Sequence, residues 1–211
     1  MKVKVCGMRE GNNVREVATL LPDFMGFIFY APSPRNAIGI KKEIIKNLPE
    51  ATIPIGVFVN SDKDEIRKIA DFFNIQTLQL HGEETPQECK DLKNFGYTVI
   101  KAFKLRDNCN CRLDEIVSPY KDCVDLFLFD TDGKSPGGNG KKFNWEILSS
   151  YTLNVPYLIS GGISPEDADL VVNGLPNNCI GIDINSKFEI EPGLKDTKKL
   201  SDFFSKLYSH T

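Results

Sequence analysis

Three residues of this chain could move protons. Cys6 closes the apolar run Val3–Cys6, Asp130 follows the run Leu126–Phe129, and Asp183 lies near the end of Ile180–Ile184. A thiol acts as a base once it is ionised, and a carboxyl gives or takes a proton according to its surroundings. Asp130 also opens a loop rich in glycine (Gly133, Gly137, Gly138, Gly140), where backbone can approach a ligand closely. Taken alone, that stretch fits two descriptions. It is either a helix-capping aspartate before a loop, or a carboxylate at the end of a buried strand, where α/β proteins put their chemistry.

The elements that would position these groups decide between the two. Strand-like runs recur at Val3–Cys6, Met25–Phe29, Ile55–Val59, Thr77–Leu80, Thr98–Phe103, Leu126–Phe129, Pro156–Ile159 and Ile180–Ile184. Helical periodicity lies between them. Four stripes share the spacing i, i+3, i+4, i+7: Val14/Val17/Ala18/Leu21, Ile66/Ile69/Ala70/Phe73, Ala168/Val171/Val172/Leu175 and Leu200/Phe203/Phe204/Leu207. Thr85-Pro86-Gln87-Glu88 and Ser164-Pro165-Glu166-Asp167 read as helix starts, with a hydroxyl cap, proline at the first position and an acid at the third. The weakest helical segment runs from about Cys111 to Tyr120, broken by Pro119 after Asn108 and Asn110. Eight βα units and a final helix predict a closed parallel (β/α)8 TIM barrel with outer helices, a single domain over residues 1–211. An open doubly wound sheet would usually have fewer units.

Alternation along each strand then assigns faces. If Val3 and Val5 point to the helices, Lys4 and Cys6 point inward. Leu78 and Leu80 outward leave Gln79 and His81 inward, while Asp130 shares the face of Leu128 and Asp183 that of Gly181. Cys6 and Asp130 should therefore face each other across a small molecule at the catalytic rim, with Asp183 beside Cys6. Proton removal on one side and donation on the other is the chemistry such a pair suits.

Composition excludes several other roles. A formal charge of -3 and the lack of a Lys/Arg block argue against a nucleic-acid partner. No apolar run approaches membrane-spanning length, and the N-terminus has no signal-peptide core, so the cytoplasm is the expected compartment. There, Cys89, Cys109, Cys111, Cys123 and Cys179 read as structural or incidental thiols. The Cys109–Cys111 spacing is wrong for a zinc knuckle, and His81 and His210 are the only histidines, so no metal site is expected.

These residues resemble the phosphoribosylanthranilate isomerase family of tryptophan biosynthesis. The resemblance is carried in order by Val3–Arg9 (V-K-V-C-G-M-R), Ser33–Arg35, Gly56–Asn60, Leu78–Gly82 (L-Q-L-H-G), Asp130–Trp145 and Ser160–Glu166. Gly181–Ser186 with Pro192–Asp196 completes it, over essentially the whole chain. It implies a (β/α)8 barrel that needs no cofactor or metal. The expected reaction is an Amadori rearrangement of N-(5-phospho-β-D-ribosyl)anthranilate, a small phosphosugar-anthranilate substrate. The expected protein is a monomer or homodimer. The family's general base matches Cys6 and its general acid Asp130, the two groups that strand alternation had already turned inward. Asp130, kept partly protonated, would open the ribose ring. Cys6, with its pKa lowered by Lys4 two residues back, would then remove the C2 proton.

Binding roles follow from the same match. The planar guanidinium of Arg35 suits a carboxylate such as that of anthranilate. Gly161, Gly162 and Ser186 lie where barrels hold phosphate on backbone N–H groups, and the two glycines would equally make a tight turn into a helix. His81 is a rim histidine with a possible substrate contact, and Asp183 either orients substrate or pairs with Lys4. Two departures stand out. The family usually reads S-S-G-V-E after strand 8, whereas this chain has Asn185-Ser186-Lys187-Phe188-Glu189, so Lys187 either serves the phosphate or swings to solvent. Asn139 also replaces a common threonine. The competing readings are the sister isomerase of histidine biosynthesis, which uses aspartates for both proton transfers, and a phosphosugar-binding barrel without turnover.

Overall fold

The computed structural model describes residues 1–105, 112–131 and 145–209. Gly133, Gly137, Gly138, Gly140, Asn139, Asn108, Asn110, Cys109, Cys111 and His210 lie outside them, as does most of the glycine-rich loop.

Eight parallel strands close into a barrel in chain order: β1 (Lys2–Val5), β2 (Phe24–Ile28), β3 (Ile53–Phe58), β4 (Thr77–Leu80), β5 (Thr98–Leu105), β6 (Leu126–Thr131), β7 (Tyr157–Ser160) and β8 (Cys179–Ile184). The ring is sealed where β1 pairs with β8, with Lys2 opposite Gly181 and Lys4 opposite Asp183. That seam fits only glycine at position 181, where a Cβ would lie 1.9 Å from the Lys2 carbonyl oxygen.

The helices follow the strands as α1 (Gly11–Ala18), α2 (Lys42–Lys46), α3 (Lys63–Phe73), α4 (Pro86–Asn94), α5 (Leu113–Val117), α6 (Ala168–Gly174) and α7 (Thr197–Tyr208). Local chemistry sets their ends. Thr85 and Glu88 form a reciprocal capping box at α4, and Asp62 caps α3, which stops at Asn74 in the left-handed conformation. Val3, Val5, Leu78, Leu80, Phe127 and Phe129 face outward into one large apolar layer shared with the helix stripes. Cys6, Ile55, Val57, Ala102, Leu128 and Leu158 form a separate inner cluster. The alternation therefore assigned the two faces correctly.

Four local expectations are corrected. Leu21 is not part of the α1 stripe: it is 56% exposed with φ 52°, because Pro22 bars its predecessor from helical geometry. Among the described residues, the segment after β5 yields the five residues of α5 and a 3-10 turn, Ser118–Tyr120, around Pro119. After β6 the described residues form a 3-10 helix, Trp145–Ser150, rather than an α-helix. The final helix, α7, is the helix of the eighth unit and not an addition to it. Between β8 and α7 comes an unexpected hairpin, β9 (Glu189–Glu191) and β10 (Leu194–Lys195), turned by Pro192 and by Gly193 at φ 89°. The hairpin matters because it carries charges to the rim.

Candidate active site

Cys6 stands one residue beyond β1, and its backbone N–H extends the ladder to the Ile184 carbonyl at 2.9 Å. The thiol owes its room to Gly26 on the neighbouring strand, since a Cβ there would lie 2.7 Å from the sulfur. Gly7, next in the chain, adopts φ 76° and leaves space for Asn185 and the Arg35 side chain, both within 2.8 Å of a Cβ built on it. Gly26 went unremarked in the sequence. The signal was there, because glycine inside a strand marks a close approach.

Beneath the thiol, Lys4 Nζ lies 2.8 Å from Asp183 Oδ2, with both side chains almost wholly buried. Of the two roles open to Asp183, pairing with Lys4 is the one observed, and its second oxygen has no partner among the described residues. Burial works against the Lys4 ammonium, but Asp183 and Cys6 outweigh it and raise the pKa. The effect of Lys4 on the thiol needs correction. Burial dominates and pushes the Cys6 thiol up; Lys4 pulls it down only in part, and Asp183 pushes it up further.

Across the barrel, Asp130 is the penultimate residue of β6, three strands from β1 around the closed ring. Its Oδ2 is 3.1 Å from His81 Nε2, and His81 Nδ1 is 2.8 Å from the Gln79 amide nitrogen. His81 is held from behind. Glu84 accepts the Gly82 N–H at 2.9 Å and the Asn60 N–H at 2.8 Å, and Lys101 Nζ donates to the Gly82 carbonyl at 2.6 Å. Asp130 also departs from expectation. Burial raises its pKa, but the His81 bond and the charges of Lys104 and Lys4 together hold it below the usual carboxylate range. Asp130 is therefore a carboxylate and not a partly protonated acid.

One cavity of about 280 Å³ is lined by Cys6, Gln79, His81, Asp130, Gly161, Gly162, Asp183, Asn185, Ser186 and Lys187, with apolar walls from Ile28, Val57 and Ile163. Gly161 and Gly162 take φ 101° and 67°, so the turn after β7 needs glycine at both positions. Lys187, whose direction the sequence left open, lines this cavity. A larger cleft of about 790 Å³, near Arg9, Lys41 and Glu191, contains neither Cys6 nor Asp130, so chemistry rather than size identifies the site.

Arg35 is elsewhere. Its guanidinium grips the Glu189 carboxylate through Nε at 2.9 Å and Nη2 at 2.5 Å, and Glu189 also accepts from Lys195 at 2.7 Å. Burial works against the Glu189 charge, but Arg35 and Lys195 hold its pKa low. Arg35 thus binds a carboxylate, but one belonging to the protein, and it does not line the cavity. Among the described residues no cluster of three or more His, Cys, Asp or Glu could hold a metal, and no helix is long and apolar enough to cross a membrane.

A closed parallel barrel whose thiol and carboxylate open on one cavity at the carboxyl ends of its strands has the architecture of a (β/α)8-barrel enzyme. The model of the N-(5'phosphoribosyl)anthranilate (PRA) isomerase family matches residues 3–206, and the chain belongs to that family. It is 43% identical over 209 residues to N-(5'-phosphoribosyl)anthranilate isomerase of Parabacteroides distasonis, covering 98% of this chain and 93% of that one. To the enzyme of Phocaeicola vulgatus it is 40% identical, covering 98% of both chains. Its fold superposes on the crystal structure of phosphoribosyl anthranilate isomerase from Thermotoga maritima with a TM-score of 0.82, at 28% identity over 99% of each chain. A second such structure, in complex with reduced 1-(o-carboxyphenylamino)-1-deoxyribulose 5-phosphate, gives 0.80 at 26% identity, also over 99% of each chain. The reaction of this enzyme is the Amadori rearrangement of N-(5-phospho-β-D-ribosyl)anthranilate to 1-(2-carboxyphenylamino)-1-deoxy-D-ribulose 5-phosphate, in tryptophan biosynthesis.

Proposed function

We propose that Cys6 is the general base and Asp130 the general acid of this isomerisation. The observation that carries the assignment is their position, on strands three apart and opening on one cavity. A proton from Asp130 goes to the ribose ring oxygen as the C1–O bond breaks, and the nitrogen lone pair forms the C1=N Schiff base. The iminium makes the C2 proton acidic, and the Cys6 thiolate removes it, so that the electrons move into C1=C2 and onto nitrogen. The enolamine then tautomerises to the ketone, and the composition is unchanged throughout. Substrate binding supplies the proton: phosphate and carboxylate charges entering the cavity, with loss of water, all favour a neutral Asp130.

Gly161, Gly162 and Ser186 would hold the phosphate, with the Lys187 ammonium taking over for the glycine this chain lacks. Arg35 would exchange Glu189 for the anthranilate carboxylate, leaving Glu189 to Lys195. His81 and Asp183 would contact the sugar. We further propose a single domain acting in the cytoplasm as a monomer or homodimer, since every group assigned here comes from one chain. The test is turnover of freshly made phosphoribosylanthranilate, followed as loss of its fluorescence. Tight binding of the reduced product analogue without turnover would favour a binding-only barrel.

A further inference from the structure

We infer that Gln79 is a positioning residue for proton donation, fixing the tautomer of His81 and through it the hydrogen bond that Asp130 receives. This rests on the assignment of Asp130 as the acid. An amide nitrogen can only donate, so Gln79 Nε2 at 2.8 Å makes His81 Nδ1 the acceptor. The ring proton must then sit on Nε2, 3.1 Å from Asp130 Oδ2. Two neighbours on opposite sides of the ring thus select the same tautomer.

The cost of placing Gln79 there supports a purpose beyond packing. The residue is 1% exposed and paired in register with Val57 and Ile100, and its Oε1 has no partner among the described residues. A buried amide satisfied at one end only is less stable than a methionine of similar shape, so packing alone does not account for it. The groups acting on Asp130 are His81 just after β4, Lys104 from β5, Lys4 from β1 and Asp183 from β8. Among the described residues His81 makes the side-chain hydrogen bond to the Asp130 carboxylate, and Gln79 holds the other nitrogen of its ring.

The chain has two histidines, so ¹⁵N-histidine NMR resolves both rings, with His210→Asn assigning the second. In the unaltered protein His81 should show a protonated Nε2 and an unprotonated Nδ1; the reverse pattern overturns the inference. Gln79→Met should raise the melting temperature, mix the tautomers and move the acid limb of kcat/KM up by about 0.5 to 1 pH unit, the loss of one orienting hydrogen bond. Gln79→Glu should put a proton on Nδ1. If Gln79→Met leaves both the tautomer and the limb unmoved, Gln79 is only a filler. The tautomer is read without turnover, so it stands apart from the acid assignment, which retained activity in Asp130→Asn would defeat.

Discussion

Lys4 and Asp183, on adjacent strands that seal the barrel, form a buried ion pair at 2.8 Å directly beneath the Cys6 thiol. The ammonium is therefore shared between Asp183 and the sulfur, so Lys4 lowers the thiol only in part and burial keeps its pKa above the ordinary value. The reaction needs the thiolate together with a protonated Asp130, which titrates below the thiol, so kcat/KM should level off between the two titrations and fall above that of Cys6. Lys4→Met removes the main lowering influence, so the midpoint for Cys6 alkylation, read against Cys6→Ser, should move up. An unchanged curve would remove Lys4 from the base. The variant also strands a buried carboxylate, costing about 3 to 5 kcal/mol unless Asp183 takes a proton.

Cys6→Ser and Asp130→Asn each remove one proton-transfer group and leave the cavity shape nearly intact. Each should lower kcat by about 10²- to 10⁴-fold, with KM little changed. Single-turnover fluorescence provides the check, and a variant within a few-fold of the parent would sink that residue's role.

Gly26→Ala tests the room given to the thiol. The added methyl would sit 2.7 Å from the sulfur and 3.2 Å from the Cys6 Cα, so strand β1 or the side chain must yield. A destabilisation of about 1 to 3 kcal/mol in urea is expected, together with a fall in kcat larger than in any variant on the outer face.

Arg35→Ala should raise KM by roughly 10- to 100-fold, the worth of one charge-assisted contact, with a smaller effect on kcat. Lys195 still neutralises Glu189, so the fold should survive. Steady-state kinetics decide the matter: a fall in kcat with KM unmoved would mean that Arg35 only braces the β9–β10 hairpin.

Thr85→Ala is the control. It breaks the capping box at α4, with the Thr85 N–H and Oγ1 both 2.7 Å from Glu88 Oε2, and should cost about 1 kcal/mol by thermal melting. Activity at 25 °C should not change, since α4 lies outside the barrel.

Strand ends, the faces of Cys6, Gln79, His81, Asp130 and Asp183, and the Thr85 cap were legible in the chain because each depends on neighbours a few residues away. Alternation with period two and a capping hydroxyl three residues before an acid are local facts. The charge partners were not local. Lys4 meets Asp183 across 179 residues of sequence, and Arg35 meets Glu189 across 154. Ring closure brings those groups together, and only then do burial and pairing decide which of them is charged. The sequence by itself determined which groups face the cavity. The tertiary structure decided the resting state, a protonated thiol opposite an ionised aspartate, because desolvation at Cys6 and the His81 N–H at Asp130 exist only once the barrel has closed.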